Sequence, residues 1–105
     1  MIDEQTIEKA VALLLRAAPK SRVILFGSHA RGQGGPHSDV DFLVVGPEVK
    51  DRCAEMIRLR EALRPLLIPV DLLVVSEEKF AYWRDTPNTV YYRAAREGKV
   101  YEQVA

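Results

Sequence analysis

Residues 23–45 read VILFGSHARGQGGPHSDVDFLVV, two apolar runs joined by a glycine-rich loop, and this stretch decides the fold. The first run, Val23–Phe26, is short, apolar and bounded by Ser21 and Gly27, which predicts a buried strand. The second run opens with two aspartates and continues as Phe42–Val45, which predicts another strand. The loop between two such strands is a natural place for a functional site.

The turn that follows the first strand has the chemistry of a phosphate-binding site. Gly27 allows a tight turn and a close approach of the backbone to a ligand, and Ser28 offers a hydroxyl and a helix N-cap. N–H groups exposed at a helix start attract phosphate, and Arg31, one turn further on, can add a bidentate contact. We therefore expect Gly27, Ser28 and Arg31 to bind the phosphates of a nucleotide.

The second run begins with a pair of carboxylates at spacing i and i+2. If this run is a strand, Asp39 and Asp41 leave the same face, and Val40 and Phe42 point to the opposite, apolar face. Two adjacent negative charges repel each other, and a hard divalent cation with oxygen ligands is the usual compensation. A pair of Mg²⁺ ions about 3.5–4 Å apart would clamp the attacking and leaving oxygens of a nucleotidyl transfer. The stretch therefore predicts catalysis rather than binding alone.

These motifs resemble those of a known superfamily. Gly27-Ser28, ten intervening residues and Asp39-Val40-Asp41 resemble the GS-x10-DxD signature of nucleotidyltransferases related to DNA polymerase β. GSHARG followed by SDVDFLVV is similar to the minimal nucleotidyltransferase branch, and so is the ending Tyr91–Val100. The resemblance implies a polymerase β-like fold and one minimal nucleotidyltransferase domain over residues 1–105. In that family a later strand supplies a third carboxylate, and Asp71 in the run Val70–Val75 matches it.

The resemblance also implies an activity, a cofactor and a partner. It implies that Asp39, Asp41 and Asp71 ligate Mg²⁺, with Asp71 as the candidate general base, and that AMP passes from ATP to an acceptor hydroxyl. Minimal nucleotidyltransferases resemble the antitoxin half of toxin/antitoxin pairs, so a tyrosine of a HEPN ribonuclease toxin is the implied acceptor. Two alternatives stay open: an antitoxin that acts by stoichiometric binding, and an enzyme that modifies a small molecule such as an aminoglycoside.

Composition narrows the possible environments of the protein. With 105 residues the chain can form one compact domain with a core. Its 15 basic and 15 acidic residues cancel, which argues against general binding to nucleic acid or to an anionic membrane. Cys53 is the single cysteine, no apolar run approaches the roughly 20 residues that span a bilayer, and Met1-Ile2 is followed at once by acidic residues. We expect a cytoplasmic protein.

Helical patterns flank the strands and complete an α/β (α+β) fold with a small mixed sheet. Apolar spacing predicts a first helix from a cap at Asp3 to a stop at Pro19, and a second helix over 51–67 that Pro65 bends or ends early. Glu/Arg pairs on the second helix predict a solvated face. The order Ser76-Glu77-Glu78 predicts a third helix start, and Thr86-Pro87 predicts a fourth helix that closes at Gly98.

The remaining predictions concern the aromatic residues and the histidines. Six of the eight aromatic residues follow Lys79, and we expect them mainly to fill the core, with Phe80 and Trp83 packed on the sheet. The same aromatic-rich end offers a surface for a homodimer. His29 and His37 are expected to be exposed loop residues.

Overall fold

The computed structural model describes residues 2–35 and 38–103, which contain four α-helices and four strands. Pro36 and the predicted loop residue His37 lie outside the described residues. The described elements are, in chain order, α1 (Glu4–Ala17), β1 (Arg22–Phe26), β2 (Val40–Gly46), α2 (Arg52–Leu63), β3 (Val70–Ser76), α3 (Glu77–Trp83), α4 (Val90–Glu97) and β4 (Lys99–Glu102). A short 3-10 helix, Arg64–Leu66, follows α2.

The four strands form one mixed sheet in the order β3-β2-β1-β4. β1 pairs antiparallel with both β2 and β4, whereas β2 and β3 are parallel. A parallel pair needs a crossover connection, and α2 supplies it. The predicted fold class, a small mixed sheet with packed helices, is confirmed. Strand β4 was not predicted, because its four residues are mostly exposed and show no alternating pattern.

Helices cover both faces of the sheet. On one face, buried residues of α1 and α2 pack against the strand residues Val23, Leu25, Val40, Phe42, Val44, Leu72 and Val74. On the other face, Phe80 of α3 and Ala94 of α4 pack against Ile24, Phe26, Leu43, Val45 and Val75. Because side chains alternate along a strand, Asp41 shares the α3/α4 face with Leu43. The opposite, apolar direction predicted for Val40 and Phe42 is confirmed, since both are fully buried.

The predicted boundaries of the first two helices are largely confirmed. The Asp3 side chain accepts the Thr6 N–H at the start of α1, which ends at Ala17, just before Pro19. Asp51 caps α2 in the same way. α2 ends at Leu63 rather than near residue 67, because Pro65 has no N–H to continue the helix and the chain tightens into the 3-10 turn. The predicted ion pairs are present: Glu55 pairs with Arg58 on α2, and Glu61 of α2 pairs with Arg64 of the 3-10 helix.

The aromatic residues of α3 divide between the core and the surface. Ser76 caps the helix as predicted, and Phe80 is buried at 2% exposure. The guanidinium groups of Arg22 and Arg84 lie 5.5 and 5.2 Å from the centre of the Phe80 ring. The prediction that Trp83 packs on the sheet is wrong: it is 37% exposed and contacts the exposed Tyr82 ring edge to face. Arginine side chains thus lie over the buried Phe80 ring, while Trp83 is partly exposed.

The fourth helix begins later than the sequence predicts. α4 starts at Val90 with Thr89 as its N-cap, so the predicted start at Thr86-Pro87 is wrong. Asn88 has φ +69, a left-handed conformation that interrupts any helix running from Pro87. The predicted end at Gly98 is confirmed. A Cβ on Gly98 would collide with the side chain of Ile24, so glycine allows the chain to turn from α4 into β4 against β1.

Candidate active site

Two of the three predicted carboxylates are brought side by side by the parallel pairing of β2 and β3. The register places Asp41 directly opposite Asp71, so both side chains leave the α3/α4 face of the sheet at the same level. Asp39 comes two residues earlier, just before β2, and is exposed. Asp41 is half-buried and Asp71 is exposed. The carboxylates therefore line one end of adjacent strands.

The segment 27–33, the glycine turn, lies directly against this pair. The antiparallel register places Phe26 opposite Asp41, so the chain enters the turn beside the carboxylate. Gly27 has φ +78, and a Cβ on it would collide with the Asp41 carboxylate. Only glycine accommodates both the backbone conformation and this contact without strain. The structure thus joins the two motifs that were separate in the sequence.

The glycine turn is a series of tight turns and not a helix start. Within it the N–H of Arg31 donates to the Gly27 carbonyl at 3.2 Å, and the N–H of Gln33 donates to the Ser28 carbonyl at 2.8 Å. The prediction that Ser28 caps a helix is therefore wrong. Ser28 is half-buried beside Gly27, in the first part of the turn. Phosphate recognition here would depend on the turn's backbone and side chains, without a helix terminus.

Arg31 is held by an acidic residue from the far end of the chain. Its Nη1 lies 3.0 Å from each carboxylate oxygen of Glu97, and its Nε donates to Gln33 at 3.3 Å. Glu97 Oε1 also accepts the Gly27 N–H at 3.1 Å. Arg93, one turn earlier on α4, has its Nε 3.9 Å from the same oxygen and its guanidinium 5.7 Å from the centre of the Phe26 ring.

His29 is a structural part of the loop. The prediction of an exposed histidine is wrong, since the residue is half-buried and its ring lies against Gly34. Its Nε2 lies 3.1 Å from the carbonyl oxygen of Ser38, which can only accept a hydrogen bond. This contact joins the glycine turn to the residue just before Asp39.

Negative charge accumulates around Asp41. Burial raises the pKa of this carboxyl, and the nearby charges of Asp71 and Asp39 raise it further. The positive charge of Arg93 and the His29 ring lower the same pKa, but by less than the raising effects. An oxygen-only donor set with unfavourable mutual repulsion is chemically suited to a hard divalent cation.

Comparison of the sequence with models of protein families identifies the family of this chain. The model of the family described as the nucleotidyltransferase domain matches residues 6–101, which is almost the whole chain. The chain belongs to the nucleotidyltransferase domain family. It is therefore a nucleotidyltransferase, as the resemblance of the glycine turn and the aspartates implied. Comparison with curated proteins found no significant match.

Solved structures similar to this nucleotidyltransferase include toxin-antitoxin proteins. A crystal structure of a toxin-antitoxin with AMP-PNP has a TM-score of 0.66 and 24% identity, over 91% of this chain and 73% of that one. The toxin-antitoxin MntA-HepT has a TM-score of 0.63 and 20% identity, over 96% and 74%. A mutant toxin-antitoxin that contains MntA has a TM-score of 0.63 and 26% identity, over 98% and 75%. The mixed-sheet nucleotidyltransferase fold is shared with these proteins.

The candidate site is acidic, but its carboxylates do not converge tightly. Within residues 2–35 and 38–103, no group of three or more His, Cys, Asp and Glu side chains is arranged to hold a metal ion. The three aspartates nevertheless fit Mg²⁺ by chemistry, because they are all oxygen donors and two of them are paired in register.

No helix in the described part of the chain has the length and apolar character needed to cross a bilayer.

Glu97 and Arg93 are the site residues that sequence reasoning missed. Both lie in the Tyr91–Val100 segment that resembles the family, and that resemblance was the available signal. Their role was hidden because Glu97 is 70 residues away from Gly27 in sequence, and only the packing of α4 on β1 brings them together.

Proposed function

We propose that this nucleotidyltransferase transfers AMP from ATP to a tyrosine hydroxyl of a HEPN-type ribonuclease toxin and thereby acts as its antitoxin. The observation that carries the proposal is the contact of Gly27 with the Asp41 carboxylate, with Asp71 beside it. A turn suited to phosphate lies against acidic groups suited to a divalent cation. This is the combination that phosphoryl and nucleotidyl transfer requires.

The residues of the glycine turn would hold the nucleotide. Gly27 and Ser28 bring backbone and hydroxyl groups to the distal phosphates, and Arg31 adds positive charge. The Arg31 side chain is 43% exposed although it is paired with Glu97, so part of its guanidinium is accessible to a ligand. The site would therefore present the α-phosphorus of ATP next to the aspartates.

The aspartates would hold Mg²⁺ and receive a proton. Asp39, Asp41 and Asp71 are the ligands we propose, and two ions are expected by analogy with other nucleotidyl transfers. When bound, Mg²⁺ neutralises phosphate charge and orients the phosphate oxygens. Asp71 is exposed near the start of β3 and accepts the proton of the acceptor hydroxyl. The tyrosine oxygen then bonds to the α-phosphorus, the bond to pyrophosphate breaks, and AMP remains on the tyrosine.

The toxin partner is proposed because similar structures are those of toxin-antitoxin proteins. Several structures similar to this chain are toxin-antitoxin complexes, and one contains AMP-PNP. The site itself lies at one end of the adjacent strands β2 and β3, where the exposed Asp39 and Asp71 are accessible to a large acceptor. An acceptor carried by a partner protein suits this open arrangement better than a small molecule held in an enclosed pocket.

The test is transfer of label from α-labelled ATP to a co-purified HEPN toxin in the presence and absence of Mg²⁺. Wild type is compared with Asp41→Asn and Asp71→Asn, and Glu61→Gln, on α2 at the opposite face of the sheet, is the matched control. We expect Mg²⁺-dependent labelling of a toxin tyrosine by wild type and by the control only.

Two outcomes would contradict the proposal. If no label transfers, and Asp41→Asn neutralises the toxin in cells as well as wild type does, the protein is an antitoxin by stoichiometric binding. If label appears instead on an aminoglycoside supplied to the reaction, the acceptor is a small molecule.

A further inference from the structure

We propose that Glu97 is the positioning residue of the glycine turn. The inference rests on the proposed nucleotide transfer, because it assigns to Glu97 the task of holding Gly27 and Arg31 where they bind the triphosphate. Glu97 does not contact the substrate in this scheme. It acts through the two groups that do.

One carboxylate contacts both Gly27 and Arg31 of the glycine turn. Glu97 Oε1 accepts the Gly27 N–H at 3.1 Å, and both oxygens lie 3.0 Å from Arg31 Nη1. Within the turn, the Arg31 N–H donates to the Gly27 carbonyl at 3.2 Å. Gly27 and Arg31 are thus joined to each other and to one external anion. Charge-assisted hydrogen bonds of this kind are shorter and stronger than those between neutral groups.

The carboxylate is itself held by a rigid element. Glu97 is the last residue of α4, whose Ala94 is buried at 1% exposure on the sheet. The next residue, Gly98, packs against Ile24 in the middle of β1, and β4 then pairs with the same strand. The Glu97 backbone is therefore fixed relative to the strand that leads into the glycine turn. A residue placed this way can transmit the position of the sheet to Arg31.

The side chains of Glu97 and Arg31 differ in their exposure to solvent, and this difference suits them to different roles. The Glu97 side chain is 26% exposed, and the Arg31 side chain is 43% exposed. Arg31 directs one terminal nitrogen, Nη1, to both oxygens of Glu97 and its Nε to Gln33. Glu97 therefore fixes the orientation of the guanidinium while a large part of it stays open to phosphate. Loss of Glu97 would leave Arg31 charged but free to move.

Loss of a group that positions an active-site residue typically lowers ligand affinity or activity by about 10- to 100-fold. For Glu97→Ala we expect the KM for ATP to rise by about that factor, with a much smaller change in kcat. Glu97→Gln keeps an oxygen that can accept the Gly27 N–H but loses the charge that orients Arg31, so its KM should be intermediate. Glu61→Ala removes a comparable glutamate-arginine pair on the opposite face of the sheet and should leave KM unchanged.

A double-mutant cycle distinguishes positioning from general damage. Arg31→Ala is combined with Glu97→Ala, and the melting temperature of every variant is measured first. If Glu97 acts partly through Arg31, the KM increase of the double variant should be clearly smaller than the product of the two single increases, because in the absence of Arg31 only the Gly27 contact remains to be lost. If the two effects multiply, the proposal is wrong. Glu97→Gln, which preserves side-chain size, keeps the comparison possible if the alanine variant does not fold.

Limited trypsin digestion tests the clamp without any nucleotide. Cleavage after Arg31 is compared with cleavage after Arg84, which lies in the exposed turn before α4. Release of the pair should speed the Arg31 cut in Glu97→Ala several-fold and leave the ratio unchanged in Glu61→Ala. An unchanged ratio in Glu97→Ala would overturn the inference. A wild type that binds no triphosphate would refute the proposed function, while the protease ratio would still decide whether Glu97 holds the turn.

Discussion

Replacing Gly27 with alanine tests the contact on which the site depends. Gly27 has φ +78, where an L-residue with a Cβ loses about 1–2 kcal/mol. The added Cβ would also meet the Asp41 carboxylate, which must rotate away from its present position. An off-rotamer side chain costs about 0.5–1.5 kcal/mol. Together these give an expected loss of about 1.5–3.5 kcal/mol in the free energy of unfolding.

Gly32→Ala is the matched control because it isolates the first of these two costs. Gly32 has φ +73, nearly the same as Gly27, but a Cβ there meets no atom within 4 Å. Its loss should be about 1–2 kcal/mol, from backbone strain alone. Urea denaturation at pH 7 measures both variants. The difference between them, about 1 kcal/mol, corresponds to roughly 4 °C or more in melting temperature for a domain of this size.

Activity and a compensating change sharpen the test. Gly27→Ala should abolish labelling of the acceptor because it displaces the Asp41 carboxylate, whereas Gly32→Ala should retain most of the activity. Adding Asp41→Ala to Gly27→Ala should recover the extra stability, since the collision no longer exists. A Gly27→Ala variant that is no less stable and no less active than Gly32→Ala would show that the contact of Gly27 with Asp41 does not constrain the site.

Two further predictions concern charge and packing. The pKa of Asp41 is raised in the folded state, so the ionised carboxylate lowers the free energy of unfolding. This destabilisation is complete above the folded-state pKa and disappears below the ordinary pKa of about 4. Asp41→Asn should therefore melt higher than wild type at pH 7, and the difference should shrink as the pH is lowered toward 4; a constant difference would contradict this. Phe80→Ala should lose about 3–5 kcal/mol because its ring is buried, whereas Trp83→Ala should lose less than about 1 kcal/mol. Equal losses in chemical denaturation would show that Trp83 belongs to the core.

Local sequence signals predicted the elements that depend on local chemistry. Asp3 and Asp51 each accept an N–H three residues further on, an interaction contained within a single turn, so the helix starts could be predicted. Pro65 ends α2 for an equally local reason. The start of α4 was mispredicted because Thr89, rather than the equally plausible Thr86, became the cap. The left-handed Asn88 between them decided the outcome.

The burial of the aromatic residues on α3 could not be predicted from local sequence patterns. Phe80 and Trp83 are three residues apart on one helix, and the sequence predicted both to be buried. The structure buries only Phe80, which packs against the sheet and has the guanidinium groups of Arg22 and Arg84 over its ring. Arg22 also pairs with Glu77 at the start of α3, 55 residues along the chain. Contacts between residues so far apart in the chain have no counterpart in a periodic pattern.

The sequence by itself determined the family, the sheet-forming runs and the acidic and glycine motifs of the site. Those features depend on residue type and spacing within segments of a few residues to about twenty. The tertiary structure alone decided that Asp71 lies opposite Asp41, that β4 extends the sheet, and that Glu97 holds Gly27 and Arg31. These depend on the parallel register of β2 and β3 and on the packing of α4 against β1. Both arise from the simultaneous burial of two sheet faces, which joins residues far apart in the chain.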